Sequence, residues 1–146
     1  MGNMKIINKD ITTIDKGIII HQANNKRVMG AGVAKAIINK YPKHKEDYLK
    51  ASMKLSNIVY TKTGKYTAVF AIITQNGYGR NNNIVYTDYE AFKKALIKID
   101  KFHNKYPRIK LYMPYGIGCG LANGDWNIIS KLIEDICPYI ILCKKK

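Results

Sequence analysis

Two short stretches concentrate the residue types that hold anions through the main chain. The first is His21-Gln22-Ala23-Asn24-Asn25-Lys26-Arg27-Val28-Met29-Gly30-Ala31-Gly32-Val33, where a β-branched run passes into a helical pattern. Small residues at a helix start, here Gly30, Ala31 and Gly32, let a ligand approach the backbone. The unsatisfied first N–H groups of the helix and its dipole favour negative or oxygen-rich groups there. This spacing is neither a Walker loop nor a dinucleotide-binding fingerprint, so taken alone it reads equally as a tight turn. The second stretch is Met113-Pro114-Tyr115-Gly116-Ile117-Gly118-Cys119-Gly120-Leu121. Alternate glycines give it the freedom to form a concave ring of amides that can surround a diphosphate. Two proton-transfer candidates lie nearby. His21 ends the first stretch's strand and faces the cleft if strand alternation holds; a structural histidine bonded to a carbonyl is the alternative. Asp125 is the second acid or base, or else simply a helix cap.

The elements that would position these loops alternate between strand and helix patterns. Met4 to Asn8 and Gly17 to Ala23 read as strands, the second β-branched and buried on both faces. Ala31 to Lys40 puts Val33, Ala34, Ile37 and Ile38 on one helical face, and Pro42 ends it. A short helix follows within Pro42 to Leu55. Ile58 to Thr61 and Tyr66 to Thr74 are strands around a Thr63-Gly64 turn, and Gln75 to Ile84 is a polar, mobile loop. Thr87 is placed to cap a long amphipathic helix reaching about His103, with Tyr89, Phe92, Leu96 and Ile99 inward. Leu111 to Met113 feeds the second glycine loop, Asp125 opens a helix carrying Ile128, Ile129, Leu132 and Ile133, and Tyr139 to Leu142 is the last strand. The fold class is therefore α/β: a mixed central sheet of about six strands with helices on both faces, in a single domain over 1–146. Two glycine loops leaving strand C-termini would share the crevice where such sheets bind ligands.

Composition narrows the partners. No run approaches the ~20 apolar residues of a membrane span, and Met1 to Lys5 has no secretory hydrophobic stretch, so a cytoplasmic location without membrane attachment is expected. Ile6 stands where a myristoylation signal on Gly2 would need Ser or Thr, and the terminal lysines are no prenylation box. Cys119, Cys137 and Cys143 form no Cys-x-x-Cys pair and read as reduced thiols. His21, His44 and His103 lie far apart without carboxylate clusters, so neither metal nor cofactor is expected. The formal charge of +15 invites a nucleic-acid reading. The lysines are scattered, arginines number three, and Ile, Asn and Tyr abound, as an AT-rich coding sequence produces; nucleic acid is the less favoured partner. The charge would still draw anionic ligands toward the site.

In the order and spacing of these loops the sequence resembles the macro domains over nearly its whole length. Asp10-Ile11 resembles the family's adenine-reading pair, Ala23-Asn24 before Gly30-Ala31-Gly32-Val33 its ribose loop, and Gly118-Cys119-Gly120-Leu121 its diphosphate loop. With His21 at the strand end and Trp126, it is most similar to small stand-alone members, including ADP-ribose 1″-phosphate phosphatases and phage-encoded relatives. The resemblance implies a monomeric protein binding ADP-ribose or ADP-ribose 1″-phosphate. Asp10 would meet the adenine amine, Ile11 would add a backbone contact, and Asn24 would bond the distal ribose; an Asx turn and a loop-stabilising Asn are the structural alternatives. The glycine loops would act through their amides. It further implies hydrolysis of the 1″-phosphate, with His21 transferring the proton; the alternatives are a non-catalytic reader or sequestering module and a de-ADP-ribosylating hydrolase. One such hydrolase branch uses a Lys after a central strand and an Asp directly after the Gly-Cys-Gly-Leu segment. This chain has Gln75 or Asn76 and Ala122 at those places, which disfavours lysine chemistry.

Overall fold

The computed structural model describes residues 4–145; Met1, Gly2, Asn3 and Lys146, which carried part of the reading of the two ends, lie outside them. The chain forms β1 (Ile6–Asn8), β2 (Gly17–Asn24), α1 (Gly32–Lys40), α2 (Pro42–Lys50), β3 (Ile58–Lys62), β4 (Thr67–Gln75), α3 (Tyr89–Lys105), β5 (Leu111–Pro114), α4 (Trp126–Ile136) and β6 (Ile141–Lys144). Among the described residues, one sheet holds the six strands in the order β1-β6-β5-β2-β4-β3. Every pairing is parallel except that of edge strand β3 with β4.

The central strands are apolar on both faces because helices cover both. Ile18 and Ile20 of β2 join Phe70, Ile72 and the inward faces of α3 and α4 (Phe92, Leu96, Ile99, Ile129, Ile133) in one core. On the opposite face Ile19 packs with Ile37 of α1, and Ala71 and Ile73 of β4 pack with Tyr48 of α2 and Ile38 of α1. At ~25 cal/mol per Å2 of apolar surface removed from water, these fully buried side chains contribute the bulk of the driving force, about 1.5–3 kcal/mol each.

Boundaries follow local chemistry. Pro42 opens α2, and Tyr41 serves as the C-cap of α1 and the N-cap of α2. The cap of α3 is Asp88, whose carboxylate accepts from the Ala91 amide at 2.9 Å; the expected cap, Thr87, is buried and bonds elsewhere. β6 starts two residues later than expected, because Ile140 closes a turn onto the Cys137 carbonyl before the strand can begin.

The sheet's topology makes the crevice. From β2 the chain crosses to β3, on the β4 side of the sheet, but from β5 it crosses to β6 on the other side, so the connections diverge at a topological switch point. β2 and β5 are registered only at Ile18–Leu111 and Ile19–Tyr112. Beyond those pairs β2 runs on to Asn24 beside β4, and β5 to Pro114 beside β6, without pairing with each other, and a gap opens between their ends.

Candidate functional site

That gap is the floor of a cleft of about 570 Å3, walled by the first glycine stretch on one side and the second on the other. This volume lies within the range of small-molecule sites. Of the expected ligand-binding residues, Ala23, Asn24, Gly30, Ala31, Gly32, Val33, Gly118, Gly120 and Leu121 line it together; Asp10, Ile11 and Cys119 do not.

The first wall is the uncapped start of α1. Ala31 at the N-cap position offers no side-chain acceptor, so the amides of the first turn stay open toward the cleft. Gly32 takes φ +62°, and a methyl built there would meet nothing within 4 Å, so the backbone faces open space. The second wall coils through successive tight turns: Ile117 N–H donates to Pro114, and Cys119 N–H to Gly116. Among the described residues, the intervening amides of Gly116, Gly118 and Gly120 have no backbone acceptor. The two walls thus hold open amides on either side of one gap, an arrangement suited to an anion with several oxygens.

None of the residues fixing this spacing was singled out for that role from the sequence. Thr74 donates to the Gln22 carboxamide oxygen (2.7 Å), Gln22 Nε2 donates to Thr87 (3.0 Å), and Thr87 donates to the Gly118 carbonyl (2.8 Å). This chain lashes the end of β2 to the second glycine loop. It sits at a register irregularity in the β2–β4 pairing, between Ala23 and Asn24, of the kind that re-aims side chains beside sites. A polar Gln within a β-branched strand was the available signal.

The loop after β4 was also undervalued. Tyr78, Gly79 and Arg80 reach the cleft, and Arg80 is the one Arg or Lys among the lining residues. The loop expected to be mobile has fixed attachments in the fold: Gly77 N–H donates to Asn25, and Asn123 donates to the Asn81 and Ile84 carbonyls.

Several expected side-chain roles are taken up internally. Asn24 donates to the Val28 carbonyl (2.7 Å) and accepts from Lys26 N–H (2.9 Å) and the Tyr48 hydroxyl (3.0 Å), so it holds the 24–28 loop in shape. Asp10 accepts from the Thr12 amide and hydroxyl at 3.0 and 2.8 Å and pairs with Lys145, and these bonds to Thr12 hold its carboxyl below the usual range. Ile11 is buried against Ile19 and Ile37. Asp125 caps α4 by accepting from Asn127 N–H at 2.9 Å and is not a lining residue. The Cys119 thiol, on the second loop, is pushed up to about 11 by burial and stays protonated.

His21 departs furthest from the expected orientation. Its ring is 1% exposed, with Nε2 2.8 Å from His44 Nε2 of α2 and Nδ1 3.2 Å from the Gln22 carbonyl. Thr61 donates its hydroxyl proton to Asp47, so it must accept from His44 Nδ1; His44 Nε2 then accepts from His21. Burial pushes His21 down to about 3 and His44 to about 4, which keeps both neutral. The ring faces α2 and is committed there, so as placed it offers no proton to the cleft.

No family model matches this chain. It is similar to an uncharacterised 17.5 kDa protein from the tk-vs intergenic region of Enterobacteria phage T4, 28% identical over 128 residues, covering 80% of this chain and 77% of the phage protein. Among solved structures it superposes on a macrodomain protein from Streptomyces coelicolor (TM-score 0.79, 20% identity, 98% of this chain and 99% of that one). It likewise superposes on Thermosipho africanus DarTG in complex with ADP-ribose (TM-score 0.73, 16% identity, 95% of this chain and 40% of that one).

Proposed function

We propose that this chain, whose fold is that of the macro domains, binds the ADP-ribose group in the cleft between its two glycine loops. The observation that carries this reading is the pair of open amide walls facing each other across the β2–β5 gap, the start of α1 on one side and Gly116, Gly118 and Gly120 on the other. A diphosphate is the anion that two such walls would grip at once, and the superposed Thermosipho DarTG structure contains ADP-ribose. Arg80 adds a single cation from the loop after β4. Asp10 and Ile11 lie outside the cleft lining, in a turn that Lys40 of α1 ties to the helix forming one wall by donating to the Thr12 carbonyl; reading of adenine by them would be from beside the cleft. Asn24 acts on the distal ribose through the loop it shapes.

Binding without turnover is the form of this function that the site favours. Among the lining residues there is no Asp, Glu, Lys or Cys, and the one histidine has its ring buried against His44. Hydrolysis of ADP-ribose 1″-phosphate by His21 would require that ring to leave its bond to His44. Calorimetric titration with ADP-ribose, paired with a phosphate-release assay on its 1″-phosphate, tests both parts. One-to-one binding with no release beyond the uncatalysed rate is the expected outcome. Release that vanishes in His21→Ala would restore the phosphatase reading, and absence of heat with ADP-ribose would remove the proposal altogether.

A further inference from the structure

The positive charge is not gathered at the cleft. Six basic residues meet instead around a groove of about 730 Å3 at the opposite end of the sheet. Lys9, Lys16, Lys62, Lys65, Arg108 and Lys110 line that groove against one carboxylate, Asp15, a much steeper imbalance than the chain's 25 basic to 10 acidic residues. Tyrosines stand between the cations. Tyr66, Tyr60 and Tyr106 are 61%, 52% and 43% exposed. Lys65 lies 5.4 Å from the Tyr66 ring centre, and Lys105 5.4 Å from that of Tyr106.

Exposed aromatic rings interleaved with ammonium groups along a concave wall match one ligand chemistry better than others. The cations suit a repeating phosphate backbone, and the rings give bases faces to stack on. A duplex hides its base faces, and a flat lipid surface does not enter a concavity, so a flexible single strand is the complementary shape. We infer that this groove is a second binding site, for single-stranded nucleic acid, separate from the cleft. Gly17 begins β2 in the groove and Asn24 ends it in the cleft. Along β2 the groove's lining ends at Ile18 and the cleft's begins at His21, about three strand steps or roughly 10 Å on, and no residue lines both, so the two can be occupied and tested independently.

Fluorescence anisotropy with a short fluorescein-labelled oligothymidylate reads the site directly. If about five phosphates are neutralised, affinity should fall roughly a hundredfold between about 50 and 200 mM salt. Tyr66→Ala combined with Tyr106→Ala should weaken binding about tenfold or more, because stacking is lost while the charge is kept. Lys62→Glu with Lys65→Glu should weaken it further and flatten the salt slope, and saturating ADP-ribose should change nothing. All four side chains are exposed, so unchanged melting curves will confirm intact folding. The inference is overturned by lack of binding at low salt, by displacement with ADP-ribose, by a tyrosine double variant that binds as wild type does, or by preference for a duplex or for phosphatidylserine vesicles over the single strand.

Discussion

Gly32 and Gly118 share a left-handed backbone but sit in different surroundings, and the difference separates binding from stability. At Gly32 (φ +62°) an added methyl meets open space, so Gly32→Ala should cost roughly 1–2 kcal/mol from the backbone alone. At Gly118 (φ +77°) the same methyl would lie 3.0 Å from Ile129, 3.1 Å from Thr87 and 3.2 Å from Gln22, adding overpacking for a total of about 2–4 kcal/mol. Scanning calorimetry should rank the two in that order. Titration should find that Gly32→Ala loses more ADP-ribose affinity than its stability change accounts for. The histidine pair makes a pH prediction. Unfolded imidazoles take up a proton near pH 6.5, whereas His21 and His44 in the fold resist until about pH 3 and 4. The unfolded state therefore binds more protons across that window, and stability drops as pH falls through it. The melting temperature should decline between pH 7 and 4.5, above the range where Asp10 and Asp47, both lowered, begin to lose their own contribution. His44→Gln should flatten that decline; an unchanged slope would mean the pair is not the cause. The sequence revealed His21 at the end of a buried strand but not its partner, because His44 lies 23 residues away on α2 and only the folded topology brings the rings together.

At the scale of elements, caps and crossings decide what the loops can do. Asp125→Ala should lower stability by about 1 kcal/mol, through loss of its bond to Asn127 N–H, and leave ADP-ribose affinity within twofold of wild type by calorimetry. A large loss of affinity would return Asp125 to the site. Most elements were legible because their patterns are local: β-branched runs for β2 and β4, helical spacing for α3, and Pro42 between α1 and α2. Departures came where a residue serves a distant partner. Thr87 looks like a cap beside an amphipathic helix, yet its hydroxyl bridges Gln22 to Gly118, and Asp88 takes the capping role. The β2–β5 splay that opens the cleft is a property of strand order, which no local window contains.

For the molecule as a whole, charge and site are separated. An even spread of lysine along the sequence concealed their convergence, since Lys16, the Lys62–Lys65 turn and Lys110 belong to segments far apart in the chain that meet only at the far end of the sheet. Whatever the overall charge contributes at long range, Arg80 is the one Arg or Lys among the described residues that lines the cleft. ADP-ribose affinity should accordingly change less than about tenfold between about 50 and 200 mM salt, a far shallower response than a strand bound in the basic groove would give. The central claim, that amides from two separate loops close on one ligand, is tested most directly by following backbone amide resonances during titration with ADP-ribose. The account predicts that Gly32 and Val33 move together with Gly116, Gly118 and Gly120 along a single binding curve, while Lys65 and Tyr66 at the other end stay still. Shifts confined to one loop, or centred on the basic groove, would contradict it.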